Sequence, residues 1–321
     1  MTPYDTARVP TALAPPPSDS SLLEAVLARG EDKTKDNHKG LILLATGLLF
    51  LALGGLHWGW RSVVFIAVAI ALHELGHVIA MRIFGYKNVR MLFIPLFGGL
   101  ATGEPRELDA TKNALVALAG PLFGLITAGL AGGLALATGS PQWLVQFAWV
   151  SLFLNGFNLI PFVPLDGGQI ANETLFSRYP LLELLFRLIA VAGLGWFAWT
   201  SAAWFLGVLV VFMLIGTPMA FRHARLVRNA RRDPAWQTRL LDLQTIALLR
   251  EMVAAKFPDL ARSKYEKALP GHVHGMWLDI HKRFPGPGRT VALLGAYAFT
   301  AVFLTGGLVF FLMRFLGRPV F

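Results

Sequence analysis

Seven apolar runs of about 20 residues dominate this chain, and that is the length a helix needs to cross the hydrocarbon core of a bilayer. No water is available there for unpaired backbone groups, so an apolar run of this length must fold as a helix. The sequence therefore predicts an all-α polytopic membrane protein with about six to seven transmembrane helices. The predicted spans are residues 41–59, 62–84, 113–137, 142–165, 181–200, 202–221 and 291–315.

Composition supports the membrane assignment and narrows the range of partners. Of the 321 residues, 55% are hydrophobic and 15% are charged, a balance that a soluble domain of this size could not keep in water. The net charge of +10 comes from basic residues between the apolar runs, where positive charge sets topology and meets anionic lipid head groups. We therefore expect the lipid bilayer as a partner, and no nucleic acid.

The basic residues cluster on alternating connections, which the positive-inside rule assigns to the cytoplasm. This pattern predicts an integral, multi-pass protein of a prokaryotic cell membrane with a cytoplasmic N-terminus. The predicted segments are a disordered cytoplasmic tail over residues 1–40 that ends in a short helix, a six-span membrane core over 41–221, a basic helical cytoplasmic module over 222–289 and an additional C-terminal transmembrane helix over 290–321.

The second apolar run contains the stretch His73-Glu74-Leu75-Gly76-His77. Residues four apart share one face of a helix, so His73 and His77 can offer two nitrogens to one metal ion. Glu74 lies about 100° round the helix, close enough to act on water at the metal without binding the metal itself. The alternative is a pair of core histidines with satisfied hydrogen bonds. Ionisable groups at membrane depth are costly and usually functional, which favours a metal site.

The fourth apolar run ends in a second informative stretch, NLIPFVPLDGG over residues 158–168. Its prolines and glycines must break the helix, which places Asp166 on irregular backbone beside apolar sequence. Taken alone, Asp166 could equally be an ordinary turn aspartate. Since the His-Glu-x-x-His helix lacks a third ligand and the chain has no cysteine, Asp166 is the predicted third ligand.

Two further stretches have open interpretations. Residues 85–105 contain Pro95, Gly98 and Gly99 and alternate in polarity, which predicts a small β-hairpin or re-entrant loop; an interfacial loop on the lipid is the alternative. In the third run, the small residues and proline of Ala119-Gly120-Pro121 allow close helix contact or a kink. The alternative is that they only pack one helix against another.

Polar pairs outside these stretches favour structural roles. Glu183 and Arg187, four apart in the fifth run, predict an ion pair. His272 and His274 are two apart without a nearby carboxylate, and such a pair is usually incidental rather than a metal site.

Together these stretches resemble the site-2 proteases, a family of zinc metalloproteases that cut peptide bonds within the membrane. The resemblance rests on HELGH at 73–77 and NLIPFVPLDGG at 158–168, with FGG at 97–99 and AGP at 119–121 in the family's order. It covers roughly residues 60–175 and is similar to the branch without a PDZ domain, since the short loops leave no room for one.

The resemblance implies a zinc ion, one per chain, held by His73, His77 and Asp166. It also implies Glu74 as catalytic base and Asn158 as a contact to substrate or to the developing oxyanion. The expected function is that of an intramembrane zinc metalloendopeptidase. Such an enzyme would use zinc-activated water to cut within or near the transmembrane segment of a membrane-protein substrate and release a cytoplasmic fragment.

Two other classes remain open from the sequence. A membrane zinc carrier or non-proteolytic zinc-binding membrane protein would not need Glu74 beside the ligands. A membrane metalloprotease acting on soluble or misfolded proteins would take its third ligand from a later Glu, for which Glu183 is the candidate. The sequence names neither the substrate nor the oligomeric state.

Overall fold

The computed structural model describes residues 18–31, 45–49, 51–52, 60–94, 98–105, 108–163, 165–200, 204–256 and 269–315. Most of the first predicted span and of the predicted tail lie outside these residues. So do Pro95 and Phe97 of the predicted hairpin stretch and Pro164 of the Asp166 stretch.

Eleven helices and one hairpin account for most of the described residues. In chain order they are α1 (Asp19–Glu31), α2 (Trp60–Ile83), β1 (Lys87–Ile94), β2 (Gly98–Glu104), α3 (Ala110–Ala137), α4 (Gln142–Asn158), α5 (Asp166–Ala171), α6 (Pro180–Thr200), α7 (Trp204–Arg232), α8 (Pro234–Thr238), α9 (Leu243–Lys256), α10 (Leu269–Ile280) and α11 (Pro287–Phe315). A π-helical segment, Asn172–Phe176, continues α5 directly, and another, Phe299–Leu304, lies within α11.

Within the described residues, four helices are long and apolar enough to cross a membrane: α2, α3, Leu181–Thr200 of α6, and α11. Together with the hairpin they confirm the predicted all-α membrane fold. The run predicted at 142–165 forms the 17-residue helix α4, which ends at Asn158 ahead of the proline-rich stretch. The predicted total of six to seven spans stays a prediction.

The predicted hairpin is present as an antiparallel pair. Strands β1 and β2 pair Phe93 with Gly99 and Ile94 with Gly98, and the register shifts between Lys87 and Arg90. Gly98 has a φ of 111°, a conformation that side chains rarely adopt, so a glycine is required where β2 begins.

The chain divides into two units. The first, here called the helical unit, comprises Met1–Thr34 and Arg222–His281; the second, the membrane unit, comprises Lys35–Phe221 and Lys282–Phe321. This division differs from the predicted segments at two places. Helix α1, which contains the short helix predicted at the end of the tail, groups with the helical unit, and residues 282–289 group with the membrane unit.

The helical unit has an apolar core to which α1 contributes. Leu22 and Val26, four residues apart on α1, are buried with Ile246 and Leu249 of α9 and Val273 of α10. A helix with one apolar face is stabilised by packing that face against neighbours, which is why α1 is folded here.

The core of the membrane unit lies between α3, α4 and α11. Small residues such as Ala128 of α3 allow close approach, and Leu125, Trp149, Leu152 and Leu312 fill the remaining space. The C-terminal helix α11 is therefore packed into this core. Asp109 caps α3, since its Oδ1 accepts from the Thr111 backbone N–H at 2.7 Å.

Candidate metal centre

The three predicted metal ligands converge in the membrane unit. The Nε2 atoms of His73 and His77, one turn apart on α2, lie 3.1 Å from each other. Asp166 places Oδ2 3.0 Å from His73 Nε2 and Oδ1 3.4 Å from His77 Nε2. All three side chains are buried. Among the described residues this is the only group of three metal-ligating side chains that meets in this way.

The proton positions on the two imidazoles follow from their outer hydrogen bonds. His77 Nδ1 lies 2.7 Å from the Val116 carbonyl oxygen, which can only accept, so Nδ1 donates. His73 Nδ1 donates to Asn155 Oδ1 at 2.8 Å. The orientation of the Asn155 amide is set in turn, because its Nδ2 donates to the Ser151 carbonyl at 2.6 Å. In each neutral imidazole, Nε2 therefore presents a lone pair to the centre.

This arrangement fits a metal cation. Two Nε2 lone pairs and a carboxylate face one another, which is repulsive unless a positive charge lies between them. Among the residues that the structure describes, Asp166 Oδ2 has no hydrogen-bond donor even though His73 Nε2 is close by, because that nitrogen has no proton to donate. Two imidazole nitrogens and a carboxylate oxygen form a donor set typical of catalytic zinc, which keeps a further position open.

Three glycines surround the centre because a Cβ would not fit. A Cβ at Gly120 would lie 2.3 Å from His77 Nε2, and one at Gly124 would lie 2.1 Å from the Asn155 amide. On strand β2, a Cβ at Gly99 would lie 2.4 Å from Glu74 Cγ. The Ala119-Gly120-Pro121 stretch thus brings α3 into close contact with α2, as the first of its two interpretations predicted.

Asp166 lies on regular backbone, so the prediction of irregular backbone at this residue was wrong. It is the first residue of α5, and the irregular stretch precedes it. The two glycines that follow allow close packing: a Cβ at Gly167 would lie 2.3 Å from the Leu159 carbonyl oxygen, and one at Gly168 would lie 2.1 Å from the Phe162 carbonyl carbon. The first turn of α5 can therefore pack directly against the backbone of Leu159 and Phe162.

A cavity of about 1120 Å³ opens beside the ligands. Glu74 and Asn158 both line it, as do Gly98 and Gly99 of strand β2, and apolar side chains of α2 and α4 form much of its wall. Glu74 is buried, and half-buried Asn158 donates from Nδ2 to the Leu154 carbonyl at 3.1 Å. The structure thus places both predicted non-ligand site residues on the cavity wall, while their roles stay predictions.

Sequence reasoning missed two buried polar residues of the membrane unit. Asn155, fully buried, holds His73 in its tautomer. A usable signal was present, since an Asn inside an apolar helix needs a buried partner. Glu173, seven residues after Asp166, is also buried and forms an ion pair with Lys282 at 2.5 Å.

The later glutamates do not reach the centre. Glu173 is engaged by Lys282, and Glu183 forms the predicted ion pair with Arg187 at 2.9 Å. Neither belongs to the group of three ligands. The geometry therefore favours Asp166 over a later Glu as the third ligand.

Comparisons with known proteins point to one family. The model of peptidase family M50 matches residues 62–140 and 132–192. The zinc metalloprotease MJ0392 of Methanocaldococcus jannaschii is 30% identical over 124 residues, which is 37% of this chain and 36% of that protein. Stage IV sporulation protein FB of Bacillus subtilis is 27% identical over 141 residues, 44% of this chain and 49% of that protein. The chain thus matches about a third to a half of the length of these relatives.

A solved structure, the site-2 protease from Methanocaldococcus jannaschii, is 24% identical and covers 55% of this chain and 88% of its own, with a TM-score of 0.42. The family match takes in α2, the hairpin, α3, α4 and α5, and thus every residue of the candidate metal centre. It agrees with the resemblance to the site-2 proteases seen in the motifs. The segment that carries the metal centre, residues 62–192, is therefore the part of the chain that is similar to peptidase family M50.

Proposed function

We propose that this chain is a zinc-dependent intramembrane metalloendopeptidase. Its substrate is a membrane protein, and the scissile peptide bond lies within or near a transmembrane segment. One observation carries the proposal: the lone pairs of His73, His77 and Asp166 converge beside Glu74 at the edge of a cavity in the membrane unit. The match of residues 62–192 to the model of a peptidase family supports it.

Each side chain of the centre has a distinct role in this proposal. Zinc held by His73, His77 and Asp166 supplies Lewis-acid chemistry, polarising a carbonyl and making water acidic enough to deprotonate near neutral pH. The Val116 carbonyl and Asn155 keep the two rings oriented. Glu74 accepts the proton of the attacking water as the new C–O bond forms, and it returns that proton to the amine as the C–N bond breaks.

Asn158 is proposed to contact the oxyanion. Its amide carries two N–H groups, and one of them donates to the Leu154 carbonyl. The other N–H remains for a substrate oxygen in the cavity that Asn158 lines. In known enzymes one such donor contributes on the order of 3 kcal/mol to transition-state stabilisation.

Strand β2 is proposed to bind the unwound substrate. A transmembrane helix hides its carbonyls in internal hydrogen bonds, so it must open before attack. β2 pairs with β1 along one edge, and its residues 98–101 line the cavity. A substrate strand added to the other edge would recover the lost backbone hydrogen bonds next to Glu74.

The product is proposed to leave towards the cytoplasm. If the N-terminus is cytoplasmic, α2 runs inward, and Glu74 lies about nine residues from its inner end, roughly 10–15 Å along the axis. A reporter fused to each end of a substrate tests this direction. Release of the cytoplasmic reporter is expected, and release of only the outer reporter would overturn it.

The decisive experiment replaces Glu74 by Gln in the full chain. We expect zinc to stay at one equivalent while cleavage falls by about 10²–10⁴-fold, the usual contribution of a general base. Membrane-protein fragments should then remain bound and co-purify. Glu183→Gln is the matched control, because it removes a carboxylate that pairs with Arg187 outside the centre; it should cleave normally.

The rival function is a membrane zinc carrier. Since a carrier does not need a general base, Glu74→Gln would leave zinc transport into vesicles unchanged. Transport by both the wild type and this variant, with no cleavage by either, would replace the proposal with the carrier.

A further inference from the structure

The chain segment that carries Asp166 is held from both ends by residues outside the family match. Upstream of Asp166, the hydroxyl of Tyr297 on α11 donates to the Leu159 carbonyl. Downstream, the ammonium of Lys282 binds the Glu173 carboxylate at 2.5 Å. Tyr297 and Lys282 both lie beyond residue 192, where the match to the peptidase family ends.

The upstream hydrogen bond, from Tyr297, holds the Leu159 carbonyl against which the first turn of α5 packs. A Cβ at Gly167 would lie 2.3 Å from the Leu159 carbonyl oxygen, so this oxygen contacts the residue directly after Asp166. The same oxygen accepts the Tyr297 hydroxyl. A shift of the Leu159 carbonyl must therefore move the first turn of α5 and, with it, Asp166.

The downstream ion pair, between Lys282 and Glu173, is connected to Asp166 through a continuous helix. Helix α5 passes directly into the π-helical segment Asn172–Phe176, so Asp166 and Glu173 belong to one element. The Lys282 and Glu173 side chains are only 8% and 11% exposed, and Asn113 of α3 adds a contact to the Glu173 carboxylate. A buried ion pair with additional hydrogen bonding holds one geometry firmly.

The backbone beside Lys282 is itself anchored. Arg283 donates its N–H to the Leu108 carbonyl and accepts from the Ala110 N–H, both at 2.9 Å, which forms a bridge to the start of α3. The Arg178 side chain donates to the Pro285 carbonyl. Lys282 therefore reaches Glu173 from a fixed position.

We propose that Tyr297 and Lys282 are positioning residues for Asp166, so that the segment Lys282–Phe315 sets the geometry of the metal centre. This inference rests on the proposed zinc site but not on proteolysis. Zinc retention and cobalt spectra therefore test it in full-length protein, whatever the substrate is.

The first test compares Tyr297→Phe with Thr300→Val. Phe keeps the ring and loses only the hydroxyl, and loss of one such hydrogen bond should speed zinc release into a competing chelator about three- to tenfold. The d–d absorption of the cobalt-substituted protein should also change. Thr300→Val is the control, because it removes a buried hydroxyl that donates to the Ala296 carbonyl within α11 itself; its release rate should match the wild type.

The second test addresses the ion pair. Lys282→Met alone leaves the buried Glu173 carboxylate without the positive charge of Lys282, which can unfold the protein. The double variant K282M/E173Q removes both charges, and Lys282→Arg keeps the pair. We expect about tenfold faster zinc release from the double variant and near wild-type release from Lys282→Arg.

The outcomes separate the two proposals. Wild-type zinc release and an unchanged cobalt spectrum in both Tyr297→Phe and K282M/E173Q would overturn the positioning role while leaving the zinc site intact. A wild-type protein that binds no zinc would overturn the proposed function first, and this inference with it.

Discussion

The two units of this chain differ in what they bury. Among the described residues, the helical unit buries one polar side chain, Thr245, inside an otherwise apolar core. The membrane unit buries ten, and most of them lie at or near the metal centre: His73, Glu74, His77, Ser151, Asn155, Asp166, Glu173, Thr174, Thr290 and Thr300.

This difference separates stability from function. In the helical unit, the ion pair between Arg250 and Asp19 lies near the surface: the two side chains are 2.8 Å apart and 37% and 32% exposed. Such pairs contribute little to the free energy of unfolding, so apolar burial holds that unit together. In the membrane unit each buried polar atom needs a partner, and these partners orient the ligands. Substitutions in the membrane unit should therefore mainly change zinc affinity, and those in the helical unit should mainly change the free energy of unfolding.

The largest expected effect is that of Asp166→Ala. Changes to residues that orient metal ligands cost about 10–100-fold in metal affinity, so loss of a ligand should cost more than about 100-fold. Zinc per chain after dialysis, measured by atomic absorption, should fall from one equivalent to near zero, and cleavage should stop. Asp279→Ala, an aspartate of the helical unit, should keep full zinc. Undiminished zinc in Asp166→Ala would remove the third-ligand assignment.

Next in size is Leu249→Ala in the helical unit. Leu249 is fully buried, so its truncation should lower the free energy of unfolding by about 2–5 kcal/mol. Urea denaturation and limited proteolysis of the full chain measure this loss, while zinc content should not change. The neighbouring Leu248 is 36% exposed, and Leu248→Ala should lose much less. Loss of zinc in Leu249→Ala would break the separation between the units.

A smaller effect is expected from one added methyl group beside the centre. Gly124→Ala drives a Cβ into the Asn155 amide, and such overpacking costs about 1–3 kcal/mol. Because Asn155 orients His73, zinc affinity should fall together with stability. Gly133 lies in the same helix, and a Cβ there would meet no atom within 4 Å, so Gly133→Ala should be neutral or slightly stabilising. Equal zinc affinity in the two variants would contradict the packing argument.

The smallest effect concerns Asp242, ahead of α9. The hydrogen bond from the Thr245 backbone N–H lowers the pKa of Asp242 below its ordinary value. Its stabilisation is therefore complete above the ordinary pKa and is lost as the pH falls through the lowered one. Asp242→Ala should cause a slight loss of stability at neutral pH that disappears in acid. A loss of equal size at every pH would rule out the carboxylate as its cause.

The sequence predicted the parts of the structure that depend on local patterns. The spacing of His73 and His77 places both on one helix face, and turn-forming glycines predicted the hairpin. The partner of His73 could not be identified in this way, because Asn155 lies 82 residues away. For Gly120 the sequence predicted close helix contact as one interpretation, but it could not identify His77 as the side chain that Gly120 contacts. The short helix at the end of the predicted tail was expected, but its packing was not, because the residues that cover the apolar face of α1 lie about 200 residues away in the sequence.

The core that α1 shares with α9 and α10 also constrains the path of the chain through the bilayer. Asp19–Glu31 and the residues after Arg222 form one hydrophobic core. If this core lies outside the bilayer, both pieces are on one face of the membrane, and we then expect an even number of crossings between residues 31 and 222. An odd number would put the two halves of that core on opposite sides of the lipid. The six runs predicted between residues 41 and 221 agree with an even number. This argument does not use the distribution of charged residues.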